Sequence, residues 1–208
     1  KQELIFNKSI KLLNITYCYD DKRLFEKFNL EINKGEFIGI KGISGSGKTT
    51  LMDIIAGLKT PEEGQVLVDN IPIKNNFFPW ITQIAYVNQE ALIIDKNIQE
   101  NILFGKKKYP ASKINSYLKK FDLLSIKNSL GENGINISGG QKQRISLIRA
   151  IIREREVLLI DEPTSSQDEY QRKEIINTIK NLKGQKTIII ISHNDDDLKS
   201  CDKVIELK

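Results

Sequence analysis

"EFIGIKGISGSGKTTLMDIIAGL", residues 36–58, decides the fold. A short β-branched run, "EFIGI", leads into Gly42–Thr49, which fits the spacing G-x-x-x-x-G-K-[ST] in full. Leu51, Ile54, Ile55 and Leu58 then recur at i, i+3, i+4 and i+7, which predicts an amphipathic helix. Strand, glycine-rich loop and helix in that order are the setting in which such a loop wraps phosphate. Glycines at 42, 45 and 47 let backbone N–H groups turn inward, and the helix start adds a partial positive charge of about +0.5. Lys48 would reach the β and γ phosphates, and the Thr49 hydroxyl would face Mg²⁺.

Outward from this stretch, "QVLV", "IAYV", "VLLI" and "TIIII" are further short apolar runs. Several lack polar alternation, as strands covered on both faces do, so they predict a parallel sheet. From about residue 90 to 145 such runs vanish, while Ile114, Tyr117, Leu118 and Phe121 keep helical spacing. This divides the chain into an α/β core, 1–89 and 146–208, and a helical insert over about 90–145. A further helix is expected to begin near Asp168 and to stop at Gly184.

The other candidate residues stand where these strands end. "VLLIDEP", residues 157–163, places Asp161 for the metal and Glu162, one step on, for polarising water. His193, the chain's single histidine, directly follows "TIIIIS" at the sheet edge where open α/β folds bind ligands. Gln89 closes "IAYVNQ" and is read either as a ligand of Mg²⁺ or of the attacking water, or as a polar turn residue. A second phosphate-type signal follows much later: "ISGGQ", residues 137–141, has Ser138 as a helix cap, Gly139 and Gly140 exposing the helix start, and Ile145, Ile148 and Ile152 anchoring its body.

Composition narrows the class. With 208 residues, 39% hydrophobic and 28% charged, the chain has the make-up of a packed globular protein. Its 32 basic and 27 acidic side chains give +5, but apart from residues 106–108 the lysines are scattered, so nucleic acid is not expected as a partner. Cys18 and Cys201 have neither metal-ligand spacing nor a disulfide framework, which points to a reducing compartment. No apolar run approaches the roughly 20 residues that span a bilayer.

Taken together, these motifs resemble the nucleotide-binding domain of ABC transporters over nearly the whole chain. They are the Walker A loop "GISGSGKT", the Q-loop "VNQE", the signature "ISGGQ", the Walker B strand "VLLIDE", the D-loop "SSQD" and the switch histidine in "ISH". The resemblance implies a P-loop NTPase three-layer α/β core with a mainly parallel sheet, an antiparallel β subdomain and a helical insert subdomain. It implies ATP and Mg²⁺ as cofactors, held by Gly42, Ser44, Gly45, Ser46, Gly47, Lys48, Thr49 and Thr50, with Thr49, Gln89 and Asp161 at the metal. Glu162, His193, Lys48 and Gln89 are the implied catalytic residues. "NITYCY" resembles the family's aromatic A-loop, which gives Tyr19 as the ring that stacks on adenine, with Tyr17 as the competing choice.

The second glycine motif also receives a role from the resemblance. Two such domains meet head to tail, and Ser138, Gly139, Gly140 and Gln141 of each cover the phosphate held by the other, so ATP glues the pair and hydrolysis loosens it. "ENILFG" after the Q-loop and "GENG" before the signature resemble the exporter branch. That branch implies a transmembrane domain as partner, a second nucleotide-binding domain of the same or another chain, a place on the cytoplasmic face of the membrane, and a chain excised from a longer one. Phe77, Phe78 and Trp80 are either docking aromatics or core. Three positions depart from the family pattern: Gln167 in the D-loop, Asn88 before Gln89, and Ile137 opening the signature. Two rival readings are a non-transport ABC ATPase, disfavoured by the absence of heptads, and a nucleotide sensor without hydrolysis, disfavoured by the presence of Glu162 and His193.

Overall fold

The computed structural model describes residues 4–20, 22–106, 108–126 and 129–208. In chain order, β1 (Ser9–Tyr19) and β2 (Lys22–Asn33) form a hairpin, and β3 (Phe37–Gly42) runs through the glycine-rich loop into α1 (Lys48–Ala56). Next come β4 (Glu63–Val68), β5 (Ile71–Pro72), α2 (Phe77–Ile81) and β6 (Ile84–Val87). The helices α3 (Ile98–Leu103), α4 (Ala111–Lys120) and α5 (Gly139–Ile152) follow. The chain ends with β7 (Val157–Asp161), α6 (Glu169–Lys180), β8 (Thr187–Ile191), α7 (Asp195–Leu198) and β9 (Lys203–Leu207).

Two sheets result. One is parallel, in the order β6-β7-β8-β3-β9; the other is antiparallel, in the order β2-β1-β4-β5. Every residue of β7 and β8 is buried, and the period-2 alternation of a strand shares them between two cores. Val157, Leu159, Ile189 and Ile191 face a cluster shared with α1 and the antiparallel sheet. Leu158, Ile160, Ile188 and Ile190 face another, shared with α3, α4, α5 and α6. Fully burying one such side chain is worth about 1.5–3 kcal/mol. The unbroken apolar runs therefore mark the middle layer of three.

Three local expectations are corrected. "QVLV" lies in β4, within the antiparallel sheet, where its first residue is exposed and only Val66–Val68 are buried. The helix after the glycine-rich loop stops at Ala56, because Gly57 caps it at φ +78°, and Leu58 lies beyond it, 53% exposed. Helix α6 ends at Lys180, well before Gly184, whose φ of +80° serves the turn into β8. Finally, the long β1–β2 hairpin is an element that periodicity did not announce. Of the three aromatics in "NNFFPW", Trp80 is core, fully buried with its Nε1–H donating to Ile55 O at 2.8 Å, while Phe78 is 78% exposed.

Helix α5 is continuous from Gly139 to Ile152 and so runs across residue 145 without a break. Its side of the molecule is fastened by Arg149, which donates to the carbonyls of Asn101 and Leu92, both at 2.8 Å. Burial pushes this guanidinium down to about 10, and the neighbouring Arg153 adds to the effect.

Candidate active site

The parallel order puts the ends of β6, β7, β8 and β3 side by side along one edge of the sheet. Gln89, the Asp161–Glu162 pair, His193 and the glycine-rich loop all stand just past those ends. Residues far apart in sequence thus meet because successive strands are wound in parallel.

At the loop, Gly47 adopts φ +92° as the first cap of α1, and no side chain caps that helix. A Cβ on Gly47 would stand 3.0 Å from the Phe25 ring, so glycine is required both for the turn and for the approach of the β1–β2 hairpin. Lys22 Nζ donates to Gly45 O at 3.1 Å and ties that hairpin to the loop. Ser44 is exposed, whereas Thr50 is buried on the inner side of α1. Lys48 is buried and folds back, its Nζ donating to the carbonyls of Gly42 and Ile43, both at 2.9 Å. Ser46 Oγ is buried without a hydrogen-bond partner. An uncapped helix start, an orphaned hydroxyl and an ammonium group on one loop fit an anionic phosphate group.

Thr49 Oγ1 donates to Asp161 Oδ2 at 2.7 Å. Asp161 is 3% exposed, and burial raises its carboxyl above the ordinary range, opposed by the Thr49 hydroxyl and by Lys48. A buried carboxylate paired with a hydroxyl is a hard-oxygen donor set suited to Mg²⁺.

Glu162 takes a left-handed backbone conformation, φ +48°, with its N–H donating to Ile191 O at 3.1 Å. A non-glycine residue held there stores strain of order 1–3 kcal/mol. Its side chain is turned into the row of strand ends: Oε1 lies 2.8 Å from His193 Nε2, and Oε2 accepts from Gln89 Nε2 at 3.3 Å. The amide nitrogen of Gln89, not its oxygen, faces the carboxylate.

Tyr19 ends β1 and is 54% exposed, with Lys59 Nζ 5.3 Å from the ring centroid. Tyr17 instead packs partly buried against the core. Of the two candidate rings, Tyr19 is the more exposed.

The signature residues form a separate constellation. Ser138 Oγ accepts from Gln141 N–H at 3.2 Å, and Gln141 Oε1 accepts from Ser138 N–H at 2.9 Å, a reciprocal capping box. Gly139 is exposed, and a Cβ on Gly140 would stand 2.6 Å from Ser166 O, so the loop after Glu162 packs flat on the helix start. Among the described residues no hydrogen bond joins Ser138–Gln141 to Gly42–Thr49.

Sequence reasoning missed two polar groups that support this edge. Gln143, buried, donates to Glu162 O at 3.3 Å and to Ser165 Oγ at 3.0 Å, and Gln167 donates to Gly140 O and Gln143 Oε1, both at 3.0 Å. Asp197, 1% exposed, gathers Thr164, Ser192 and Arg172. The spacing Gly139-x-x-x-Gln143 on one helix face held a signal for the first; the run "NDDD" held none for the second.

Comparison with known proteins accords with this geometry. Residues 25–165 match the sequence profile of the ABC transporter family. The chain is 34% identical to a putative export ATP-binding/permease protein of Rickettsia typhi, over 95% of this chain and 36% of that protein. It is 30% identical to an ATP-dependent lipid A-core flippase of Desulfotalea psychrophila, over 98% of this chain and 37% of that one. The chain thus spans a little over a third of the length of these relatives. In three dimensions it resembles a bacterial Atm1-family ABC exporter with ATP bound, with a TM-score of 0.89 at 24% identity, over 99% of this chain and 38% of that one; this likeness is one of fold.

Proposed function

Because the chain belongs to the ABC transporter family, we propose that it is the ATP-hydrolysing motor domain of an exporter, working as a head-to-tail pair on the cytoplasmic face of a membrane. The observation that carries the reading is the convergence of Gln89 and His193 on Glu162 beside the Lys48 loop and the Thr49–Asp161 pair. MgATP, when bound, supplies the phosphoryl group that passes to water. Lys48 would exchange its two carbonyl contacts for phosphate oxygens, and Ser46 Oγ would gain the partner it lacks. Thr49 and Asp161 would hold the metal, and Gln89, just past the end of β6, would join them once its amide turns its oxygen inward. Glu162 takes the proton from the attacking water, and His193 holds the carboxylate in register from the neighbouring strand end.

Three observations support the paired arrangement and the membrane partner. The Ser138–Gln141 helix start is preformed by its capping box yet makes no hydrogen bond to its own phosphate loop, as a surface meant for another copy's nucleotide would. The cited Rickettsia relative is described as an ATP-binding/permease protein and is much longer than this chain. Among the described residues no helix is long and apolar enough to cross a membrane, so in this reading the crossing is made by a transmembrane domain.

Two experiments bear on this reading. Specific ATPase activity is expected to fall as the protein is diluted, because catalysis needs two chains per site; activity independent of concentration over a hundredfold range would remove the paired mechanism. Tyr19→Ala is expected to weaken ATP binding by about 5- to 150-fold, since base–aromatic stacking is worth about 1–3 kcal/mol. Tyr17→Ala should instead lower thermal stability, because that ring packs on the core. Equal nucleotide affinities in the two variants would refute the choice of Tyr19.

A further inference from the structure

Glu162 and His193 stand on different loops, and the two loops are anchored to a single buried oxygen. Asp197 Oδ2 accepts from Thr164 Oγ1 at 2.7 Å and from Ser192 Oγ at 2.8 Å. Thr164 is two residues past Glu162, and Ser192 immediately precedes His193. Ser192 Oγ also accepts from Asn194 N–H at 3.1 Å, so one hydroxyl fixes the backbone on both sides of His193. The other oxygen, Oδ1, pairs with Arg172 Nη1 at 2.8 Å, which balances the charge from α6. Asp197 is 1% exposed and Ser192 2%, whereas the His193 side chain is 52% exposed and, among the described residues, its imidazole pairs with Glu162 alone. The buried, hydrogen-bonded part of this arrangement lies behind the histidine, not around it.

We propose that Asp197 is a positioning residue for hydrolysis: by holding the Thr164 and Ser192 hydroxyls on one carboxylate oxygen, it sets the His193–Glu162 contact. The proposal rests on the reading of Glu162 and His193 as the hydrolytic pair. An exposed imidazole at the end of a strand has many rotamers, and its partner sits on a strained left-handed residue. The backbone bond from Glu162 N–H to Ile191 O sets the two strand ends side by side; the shared acceptor adds a second tie, at Thr164 and Ser192, where the chains leave the sheet. Charge-assisted hydrogen bonds to a buried carboxylate are short and strong enough for this. The neighbouring Asp195 and Asp196 are exposed and cannot substitute.

His193 is the only histidine in the chain, so its imidazole C2 proton is identifiable in a proton NMR spectrum without assignment. The test uses the 208-residue chain without nucleotide. Glu162→Gln is introduced into the native sequence, into Asp197→Asn, and into the paired variant Thr164→Val with Ser192→Ala, which removes the donors and leaves the carboxylate. In the native background Glu162→Gln should displace the His193 signal, and in both other backgrounds that displacement should fall to less than half. The paired variant decides the matter if Asp197→Asn does not fold. An equal displacement in a folded variant, or none in any background, overturns the proposal. In ATPase assays Asp197→Asn should lower kcat about 10- to 100-fold, with the KM for ATP little changed. A fall in kcat that only tracks the unfolded fraction seen in melting curves also overturns it. Should the native chain show no ATPase activity, the motor reading fails, and the spectral comparison still decides the role of Asp197.

Discussion

Glu162→Gln is expected to bind ATP as the native chain does and to lose about 10²- to 10⁴-fold in turnover, the range that general-base assistance supplies. The substitution is nearly isosteric and leaves the φ +48° backbone and its N–H bond to Ile191 O undisturbed. It removes one acceptor: an amide has a single oxygen, and that oxygen cannot serve His193 and take a proton from water together. Its nitrogen, moreover, would meet the donor Nε2 of Gln89, which the native carboxylate accepts at 3.3 Å. Phosphate release measured beside equilibrium binding of a fluorescent nucleotide separates the two effects. Turnover within threefold of native would take Glu162 out of the proton transfer.

The largest expected effect on stability is at Trp80. Trp80→Ala should cost about 3–5 kcal/mol and, at roughly 2–4 °C per kcal/mol for a chain of this size, lower Tm by about 6–20 °C. The ring is fully buried, meets Phe6 edge-on at 6.0 Å, and holds the Ile55 carbonyl in the last turn of α1. Phe78, two residues away and 78% exposed, should be nearly silent when changed to Ala. Thermal denaturation of the two variants side by side checks this. Similar losses in both would mean that the aromatic cluster, not Trp80 alone, carries the packing.

What could be read from the chain was whatever its physics makes local. The glycine-rich loop announces itself because backbone wrapping demands glycine at fixed spacing, and the Ser138 cap because one side chain satisfies one helix start. The strands β7 and β8 are legible because burial on both faces forces unbroken apolar runs. The β1–β2 hairpin was hidden for the opposite reason. Most of β2 is exposed, Lys22, Arg23, Glu26 and Lys27 interrupt it, and irregular register after Leu12 breaks the alternation. "QVLV" shows why a short apolar run does not disclose strand direction: burial of three residues looks alike in either sheet. At the site, Glu162 and His193 could be named from their strand ends, while Asp197 could not. In "NDDD" three identical carboxylates differ only in which way the short α7 turns them, and the third is held inward by Thr164, Ser192 and Arg172, all distant in sequence or outside the run.

Helix α5 has one further consequence, for genetics. Its 14 residues extend about 21 Å, and from Gln143 onward every side chain is buried, while Gly139, Gln141 and Lys142 in the first turn are not. A screen for inactive mutants would score hits along the whole rod, yet they would be of two kinds. Those from Gln143 onward would vanish from the cell as misfolded chains, whereas those at Gly139, Gln141 and Lys142 would accumulate at ordinary abundance, inert. Sorting alleles by how much protein survives would therefore map where scaffold gives way to working surface, with no assay of activity at all.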